Sequence, residues 1–180
     1  MTRNAVPQPS PTRLVDFSGH ALVVAVKPGQ SQLVALTADS LGRATGASML
    51  MFAYVDESRY VVDELDDGHV ISAPISPDSV TEDVEEVERL IRLEIEAALA
   101  DSPVPWHFRY LAGRADRALT HLARTVDAAA FVVGATSHKR RRMSDFVNGS
   151  IASNLAHHQH RPVLVVPTEV VDWKDALPWQ

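Results

Sequence analysis

The sequence predicts an α/β protein, a single domain with a five-stranded parallel sheet and helices on both of its faces. Short, continuously apolar runs of strand length alternate along the chain with longer segments whose apolar residues recur at helical spacing. Continuous apolarity is typical of strands buried on both faces, as in a parallel sheet. The chain of 180 residues is long enough to bury one sizeable core.

The composition narrows the class of protein further. The chain has 17 Lys and Arg against 23 Asp and Glu, a net charge of −6, and it has no cysteine, which excludes disulfides, thiol nucleophiles and cysteine-ligated metals. No apolar run approaches the roughly 20 residues of a membrane-spanning helix, and the N-terminus is polar and Pro-rich where a signal peptide is apolar. We therefore expect a soluble, cytoplasmic protein that contacts no membrane, and the acidic balance argues against nucleic acid as a partner.

The first half of the domain begins with residues 21–27, a buried strand that Pro28 and Gly29 end. A helix follows over residues 30–45, and a second buried strand over residues 48–55. The apolar residues that recur at helical spacing in this helix are Leu33, Leu36, Leu41 and Ala44.

The second half repeats the alternation. The helix at residues 78–100 has an acidic first turn and an apolar face of Val84, Val87, Ile91, Ile95 and Ala98. Strands alternating with helices at this spacing predict βαβ units with right-handed crossovers. The remaining elements are strands at 104–111 and 128–134, a helix opened by Gly113, a short helix from Gly149, and a last strand from Pro162 to Val166.

Three segments do not fit the alternation. The connection from Asp56 to Ser76 is too long for a bare loop, and the pair Asp67 and Gly68 is a favoured hairpin turn, so we predict a surface hairpin inserted after the second strand. Residues 1–19 are predicted to be a disordered N-terminal tail and residues 168–180 a C-terminal tail, on either side of a domain of residues 20–167.

A binding site is expected beyond the carboxyl ends of the strands, where ligands bind in open parallel sheets. The loop after Gly134 ends in Gly149 and Ser150 at a helix start, where free N–H groups and the helix dipole favour an anion. Serine is also a common helix cap on structural grounds alone, and that alternative stays open. The loop contains the basic run Lys139, Arg140, Arg141 and Arg142, typical either of a solvated loop or of phosphate contact.

Two stretches carry a family resemblance. The chain resembles the universal stress protein family over most of its length. The resemblance lies in the segment FVVGATS, followed later by NGSIASNLAHHQHRPVLVVP, and in the opening LVVAVKPGQ with its following helix. The resemblance implies a five-stranded parallel sheet of the adenine-nucleotide α-hydrolase type and a homodimer formed through the last strand, Pro162 to Val166. It also implies a role in stress survival or regulation, with adenine nucleotide bound by some members.

The family's nucleotide motif can be carried over residue by residue. Gly134 matches its first glycine, and Gly149 with Ser150 matches its final Gly-Ser/Thr pair. Ser137 stands where the family has a middle glycine, the loop is longer than the pattern, and Lys27 replaces the usual Asp of the first strand. The resemblance therefore implies weak or altered binding of ATP or AMP. The predicted ligand-binding residues are Val26, Lys27, Val55, Gly134, Ser137, Arg140, Gly149, Ser150 and Ile151.

Other polar clusters have simpler interpretations. His157, His158 and His160 lie near the end of a helix, where cations favour the dipole, so we predict no metal site there. Asp39, Asp127 and the acidic run of residues 82–88 are interpreted as solvated helix faces.

The sequence contains no nucleophile elbow, P-loop or dinucleotide fingerprint, so we predict a binding protein with at most slow ATP hydrolysis. The first hypothesis is a regulator that binds an adenine nucleotide or another small phosphorylated ligand. The alternative is a dimeric protein-interaction module of the same fold that needs no nucleotide.

Overall fold

The computed structural model describes residues 10–64, 70–75, 84–135 and 151–168. It contains a five-stranded sheet and a separate two-stranded sheet. The strands are β1 (Ala21–Ala25), β2 (Leu50–Asp56), β3 (Arg59–Glu64), β4 (Val70–Pro74), β5 (Trp106–Ala112), β6 (Ala128–Gly134) and β7 (Val163–Val166). The helices are α1 (Leu33–Thr45), α2 (Val84–Ala98), α3 (Ala115–Thr125) and α4 (Ile151–His158), preceded by a 3-10 turn at Pro11–Arg13.

The main sheet has the strand order β5-β2-β1-β6-β7, and every neighbouring pair is parallel. Helices α1 and α2 pack on one face, and α3 and α4 pack on the other. The predicted fold class, with helices on both faces of a five-stranded parallel sheet, is confirmed. None of the helices within the described ranges is both long and apolar enough to cross a bilayer.

Strand β1 shows why its sequence is apolar throughout. Leu22 and Val24 pack in the core beneath α1 and α2, whereas Ala21 and Val23 pack in the core beneath α3 and α4. All four residues are buried because side chains alternate between the two faces of a strand and both faces are covered.

Helix α1 does not use the face predicted from its leucines. Leu33 and Leu36 are 53% and 43% exposed, and the residues that the helix buries are Val34, Ala35, Ala38, Asp39 and Gly42. A Cβ atom at Gly42 would lie 3.1 Å from Cδ2 of Leu50, so small residues let the helix backbone approach the sheet closely.

Asp39 is a second correction in the same helix. It is buried, not on a solvated face. Its carboxylate accepts a 2.9 Å hydrogen bond from Nε of Arg43 and a short one from the hydroxyl of Ser102. The Ser102 oxygen also accepts the N–H of Val104 at 3.1 Å, so a buried carboxylate ties α1 to the segment that enters β5.

The inserted hairpin is formed by β3 and β4, which pair antiparallel. The guanidinium of Arg59 donates to the hydroxyl and to the carbonyl of Ser72, both at 2.8 Å. The N–H of Ile75 donates to the carbonyl of Ser58 at 2.9 Å, which closes the base of the hairpin. The predicted turn at Asp67 and Gly68 lies outside the described residues.

Candidate functional site

The strand order reverses between β1 and β6. From β1 the chain first builds the side with β2 and β5, and it later returns with β6 and β7 on the other side. The loops that leave β1 and β6 therefore diverge and open a cleft at the carboxyl edge of the sheet. The cleft has a volume of about 190 Å³ and is lined by Ala25, Val26, Lys27, Gln30, Ala53, Tyr54, Val55, Ala115, Leu119, Val133, Gly134, Ala135 and Ile151.

Five of the predicted ligand-binding residues line this one cleft. Val26 and Lys27 come from the end of β1, Val55 from β2, Gly134 from the end of β6 and Ile151 from the start of α4. The other four, Ser137, Arg140, Gly149 and Ser150, lie outside the described residues.

Gln30 is a cleft residue that the sequence analysis missed. Its side-chain carbonyl accepts the N–H of Lys27 at 3.0 Å, and its own N–H donates to the Lys27 carbonyl at 3.2 Å. These bonds close the turn through Pro28 and Gly29. A polar residue three positions after a strand end, across a Pro-Gly pair, was the available signal.

Any side chain at position 134 would force the neighbours of Gly134 to move. A Cβ atom there would lie 2.1 Å from the amide nitrogen of Gln30 and 2.9 Å from a methyl carbon of Thr168. Thr168 is held by its hydroxyl, which donates to the Ala135 carbonyl at 2.8 Å, and the Ala135 N–H donates to Val166 at 2.7 Å. Three segments of the chain, those containing Gln30, Gly134 and Thr168, therefore meet at this wall of the cleft.

The described lining of the cleft combines apolar side chains with one cation. Its walls are largely apolar, with Leu119 buried, and exposed Lys27 supplies a cation at the mouth. Among the described residues that line it there is no carboxylate or imidazole. These residues can hold a flat apolar group and one anionic group, but they contain no general acid and base pair.

The start of α3, beside the cleft, is capped by a carboxylate. Oε1 of Glu57 accepts the N–H of Ala115 at 3.1 Å. This carboxylate occupies the positive end of α3, where a phosphate would otherwise be attracted. The anion-binding helix start predicted from the sequence is a different one, at Gly149 and Ser150, outside the described residues.

Asp56 lies at the end of β2, one residue beyond Val55. Burial by itself raises the pKa of this carboxyl, but hydrogen bonds from Ser58 and Tyr110 and the charge of Arg59 outweigh burial and hold its pKa below the ordinary value. Burial and the bond to Asp56 raise the pKa of the Tyr110 phenol well above its usual range. Asp56 is therefore a charged anchor next to the cleft and Tyr110 a permanent hydrogen-bond donor.

The histidines that follow Leu155 lie away from the cleft. His157 and His158 are exposed in the last turn of α4. Burial, followed by the charges of Arg161, Arg13 and Arg124, lowers the pKa of His160. Within the described ranges no three histidine or acidic side chains are grouped as metal ligands would be.

Solved structures share this fold. A universal stress protein in complex with cAMP is 21% identical with a TM-score of 0.57, and the match covers 84% of this chain and 99% of that one. Universal stress protein UspA from Lactobacillus plantarum is 19% identical with a TM-score of 0.57, covering 83% and 98%. The universal stress protein from Archaeoglobus fulgidus in complex with dAMP is 17% identical with a TM-score of 0.54, covering 81% and 96%.

The sequence comparisons differ in their outcome. A search of curated protein sequences finds no match. The sequence model of the universal stress protein family matches residues 20–167, a range that includes every strand and helix α1 to α4 as described above. Together with the strand order and the cleft at its reversal point, this match shows that the chain belongs to the universal stress protein family.

Proposed function

We propose that this protein is a stress-survival regulator that binds an adenine nucleotide, or another small phosphorylated ligand, in the cleft between β1 and β6. The observation that carries the proposal is the convergence of Val26, Lys27, Val55 and Gly134 on one cleft at the point where the strand order reverses.

The size of the cleft indicates which part of the ligand lies inside it. At about 190 Å³ it is smaller than the roughly 300 Å³ at which pockets for whole drug-sized ligands begin. We assign the base to the described cleft, between Val26, Val55 and Leu119. The phosphate then extends past Gly134 towards Gly149 and Ser150, the helix start predicted from the sequence.

The charges at the mouth support a phosphate at that place. Lys27 is exposed at the cleft, and no ion pair or side-chain hydrogen bond engages its ammonium group among the described residues. The basic run from Lys139 to Arg142 belongs to the segment that follows Gly134 in the sequence. Arginine forks and lysine are the usual cationic partners of phosphate.

The structural neighbours favour a nucleotide with a single phosphate. Two of the similar universal stress proteins are described in complex with cAMP and with dAMP. In this chain Ser137 and Lys27 replace the glycine and the Asp of the ATP-binding pattern. We therefore expect AMP or cAMP to bind at least as tightly as ATP, and ATP with a Kd no better than about micromolar, about −8 kcal/mol.

The test combines native mass spectrometry of the purified full chain with calorimetry using AMP, cAMP and ATP. The variant Val55→Phe narrows the cleft, and Val62→Phe makes the same change on the exposed hairpin, where Val62 is 57% exposed. We expect at least tenfold weaker AMP binding in Val55→Phe and wild-type binding in Val62→Phe, at about 1.4 kcal/mol per tenfold. The proposal is contradicted if none of the three nucleotides binds and native mass spectrometry shows no other phosphorylated ligand on the protein, or if both variants bind AMP equally.

A second candidate function is a dimeric interaction module that needs no nucleotide. The observation that favours it is the outer edge of the sheet, where Leu164 and Val165 of β7 are 40% and 46% exposed. An unpaired apolar edge strand invites pairing with another chain. We propose the strand from Pro162 to Val166 as the homodimer contact. Dimerisation is compatible with either function, so nucleotide binding decides between them.

A further inference from the structure

Helix α3 carries a basic face that points away from the nucleotide cleft. Arg117, His121 and Arg124 follow one another at intervals of four and three residues, so they share one side of the helix. Across from them on α4 lies His158, and between the two helices is a groove of about 530 Å³. The described residues that line it are Arg114, Asp116, Arg117, Thr120, His121, Arg124 and His158.

The charges in this groove do not cancel. Arg114 is neutralised by Asp116, whose carboxylate it contacts through two hydrogen bonds of 3.1 and 2.8 Å. For the guanidinium groups of Arg117 and Arg124, the described part of the chain provides no ion pair or hydrogen bond. Two cations with no partner among the described residues therefore face one concave surface in a protein whose net charge is −6.

Helix stability explains only one of these cations. Arg124 lies in the last turn of α3, where a positive charge favours the helix dipole. Arg117 lies in the first turn, where a positive charge is unfavourable. Arg117 thus lies at the disfavoured end of the helix, two turns before Arg124, and both face the same groove. This arrangement indicates that the two arginines bind a ligand.

The surroundings add to the positive potential. Burial is the main reason for the lowered pKa of His160, and Arg161, Arg13 and Arg124 lower it further by their charges. These cations lie towards the carboxyl end of α3. Asp127, which follows this end of α3, contacts His20 at 3.5 Å and Arg161 at 3.9 Å, and no ion pair among the described residues joins it to Arg117 or Arg124.

We propose that the groove between α3 and α4 binds a small linear anion with two or more phosphate groups, at a site separate from the nucleotide cleft. Arg117 and Arg124 are seven residues apart, about 10 Å along a helix, which suits a chain of linked phosphates bound at both ends. Guanidinium groups match phosphate oxygens in a bidentate manner. The volume of 530 Å³ lies within the range of small-molecule sites and is enclosed on two sides by helices, which favours a small ligand over a protein surface.

The two sites occupy different sides of the same helix. Ala115 and Leu119 of α3 line the nucleotide cleft, whereas Arg117 and Arg124 line the groove. A ligand in one site therefore does not touch the residues of the other, and each site can be removed by substitution without altering the second.

The test uses the full-length protein and inorganic tripolyphosphate as the probe, with calorimetry at low salt and backbone amide chemical-shift mapping. The test variant is Arg117→Gln with Arg124→Gln. The matched control is Arg43→Gln with Arg89→Gln, two exposed arginines that are already paired with Asp39 and Glu86. We expect shifts on α3 and α4, binding at least about tenfold weaker in the test variant, and wild-type binding in the control.

Two further binding measurements distinguish the groove from the nucleotide cleft. Val55→Phe should leave tripolyphosphate binding unchanged, and the double arginine variant should leave AMP binding unchanged. Thermal unfolding of both variants checks that the fold is retained. The proposal is overturned if tripolyphosphate does not bind, if its affinity is the same in both arginine variants, if the shifts lie on residues 136–150, or if a hexaglutamate peptide binds the groove more tightly.

Discussion

The Tyr110 hydroxyl donates a 2.6 Å hydrogen bond to the carboxylate of Asp56, which joins the carboxyl ends of β5 and β2. The same carboxylate accepts the N–H and the hydroxyl of Ser58 at 2.9 and 2.6 Å. One anion therefore fixes both the edge of the main sheet and the first residues of the inserted hairpin, immediately beside the cleft residue Val55.

Tyr110→Phe should lower the free energy of unfolding by about 1–2 kcal/mol, because the ring is kept and a charge-assisted hydrogen bond is lost. Chemical denaturation measures the effect. Tyr60→Phe, on the exposed side of the hairpin, is the matched control and should be neutral. Equal stability of the two variants contradicts the role given to this bond.

The same pair predicts a dependence on pH. The pKa of Asp56 is lower in the folded than in the unfolded protein, so its contribution to stability is complete above the unfolded value, near 3.8, and is lost as the pH falls through the folded value. The difference in stability between wild type and Tyr110→Phe should therefore shrink when urea unfolding is repeated at pH values descending from 7, through the unfolded value, to about 2. A difference that stays constant over this range speaks against a charged Asp56.

Gly134→Ala should displace the side chain of Gln30, because a Cβ atom would lie 2.1 Å from its amide nitrogen. The hydrogen bond from the Lys27 N–H to Gln30 is then broken, and AMP binding should weaken. The readout is the amide chemical shift of Lys27 together with calorimetry. Gly42→Ala, whose added carbon meets Leu50 in the core, should cost stability without moving the Lys27 signal.

Asp39→Ala should cost about 1–3 kcal/mol of unfolding free energy, because the Ser102 hydroxyl and the Arg43 guanidinium lose a buried partner. Asp101→Ala changes an exposed carboxylate next to Ser102 in sequence and should have little effect. Thermal and urea unfolding compare the two variants. If both variants lose a similarly small amount of unfolding free energy, the buried contacts of Asp39 contribute no net stability.

Val165→Glu should reduce the association state, because a charge is placed on the exposed edge of β7. Val62→Glu places the same charge on an exposed hairpin position and should not change association. Sedimentation at tens of micromolar distinguishes dimer from monomer. A wild-type protein that sediments as a monomer there contradicts the dimer proposal.

The sheet could be predicted because its inner strands β1, β2 and β6 are buried on both faces over most of their length and are therefore mostly apolar. Helix α2 could be predicted equally well, since Val87, Ile91 and Ile95 are buried as its spacing indicates. Helix α1 could not, because close packing on the sheet selects small residues such as Ala38 and Gly42 over the leucines that dominate a hydrophobicity pattern.

The candidate site was predictable where strand ends determine it. Val26, Val55 and Gly134 follow from the rule that parallel sheets bind ligands at their carboxyl edge. Gln30 and the basic face of α3 were missed, since their significance comes from contacts between distant segments. The charge of Arg117, for example, becomes informative only once Asp116 is seen paired with Arg114.

The strand order also determines how the chain can reach its native state. The central strand β1 pairs on one side with β2, which follows it closely in the sequence. On its other side it pairs with β6, which comes much later in the sequence, and there Leu22 lies opposite Ala130. Until β6 arrives, one long edge of β1 is unpaired. Such distant pairing is associated with slow folding, so during synthesis we expect β1, β2 and β5 to remain a partial sheet until β6 and β7 have emerged from the ribosome.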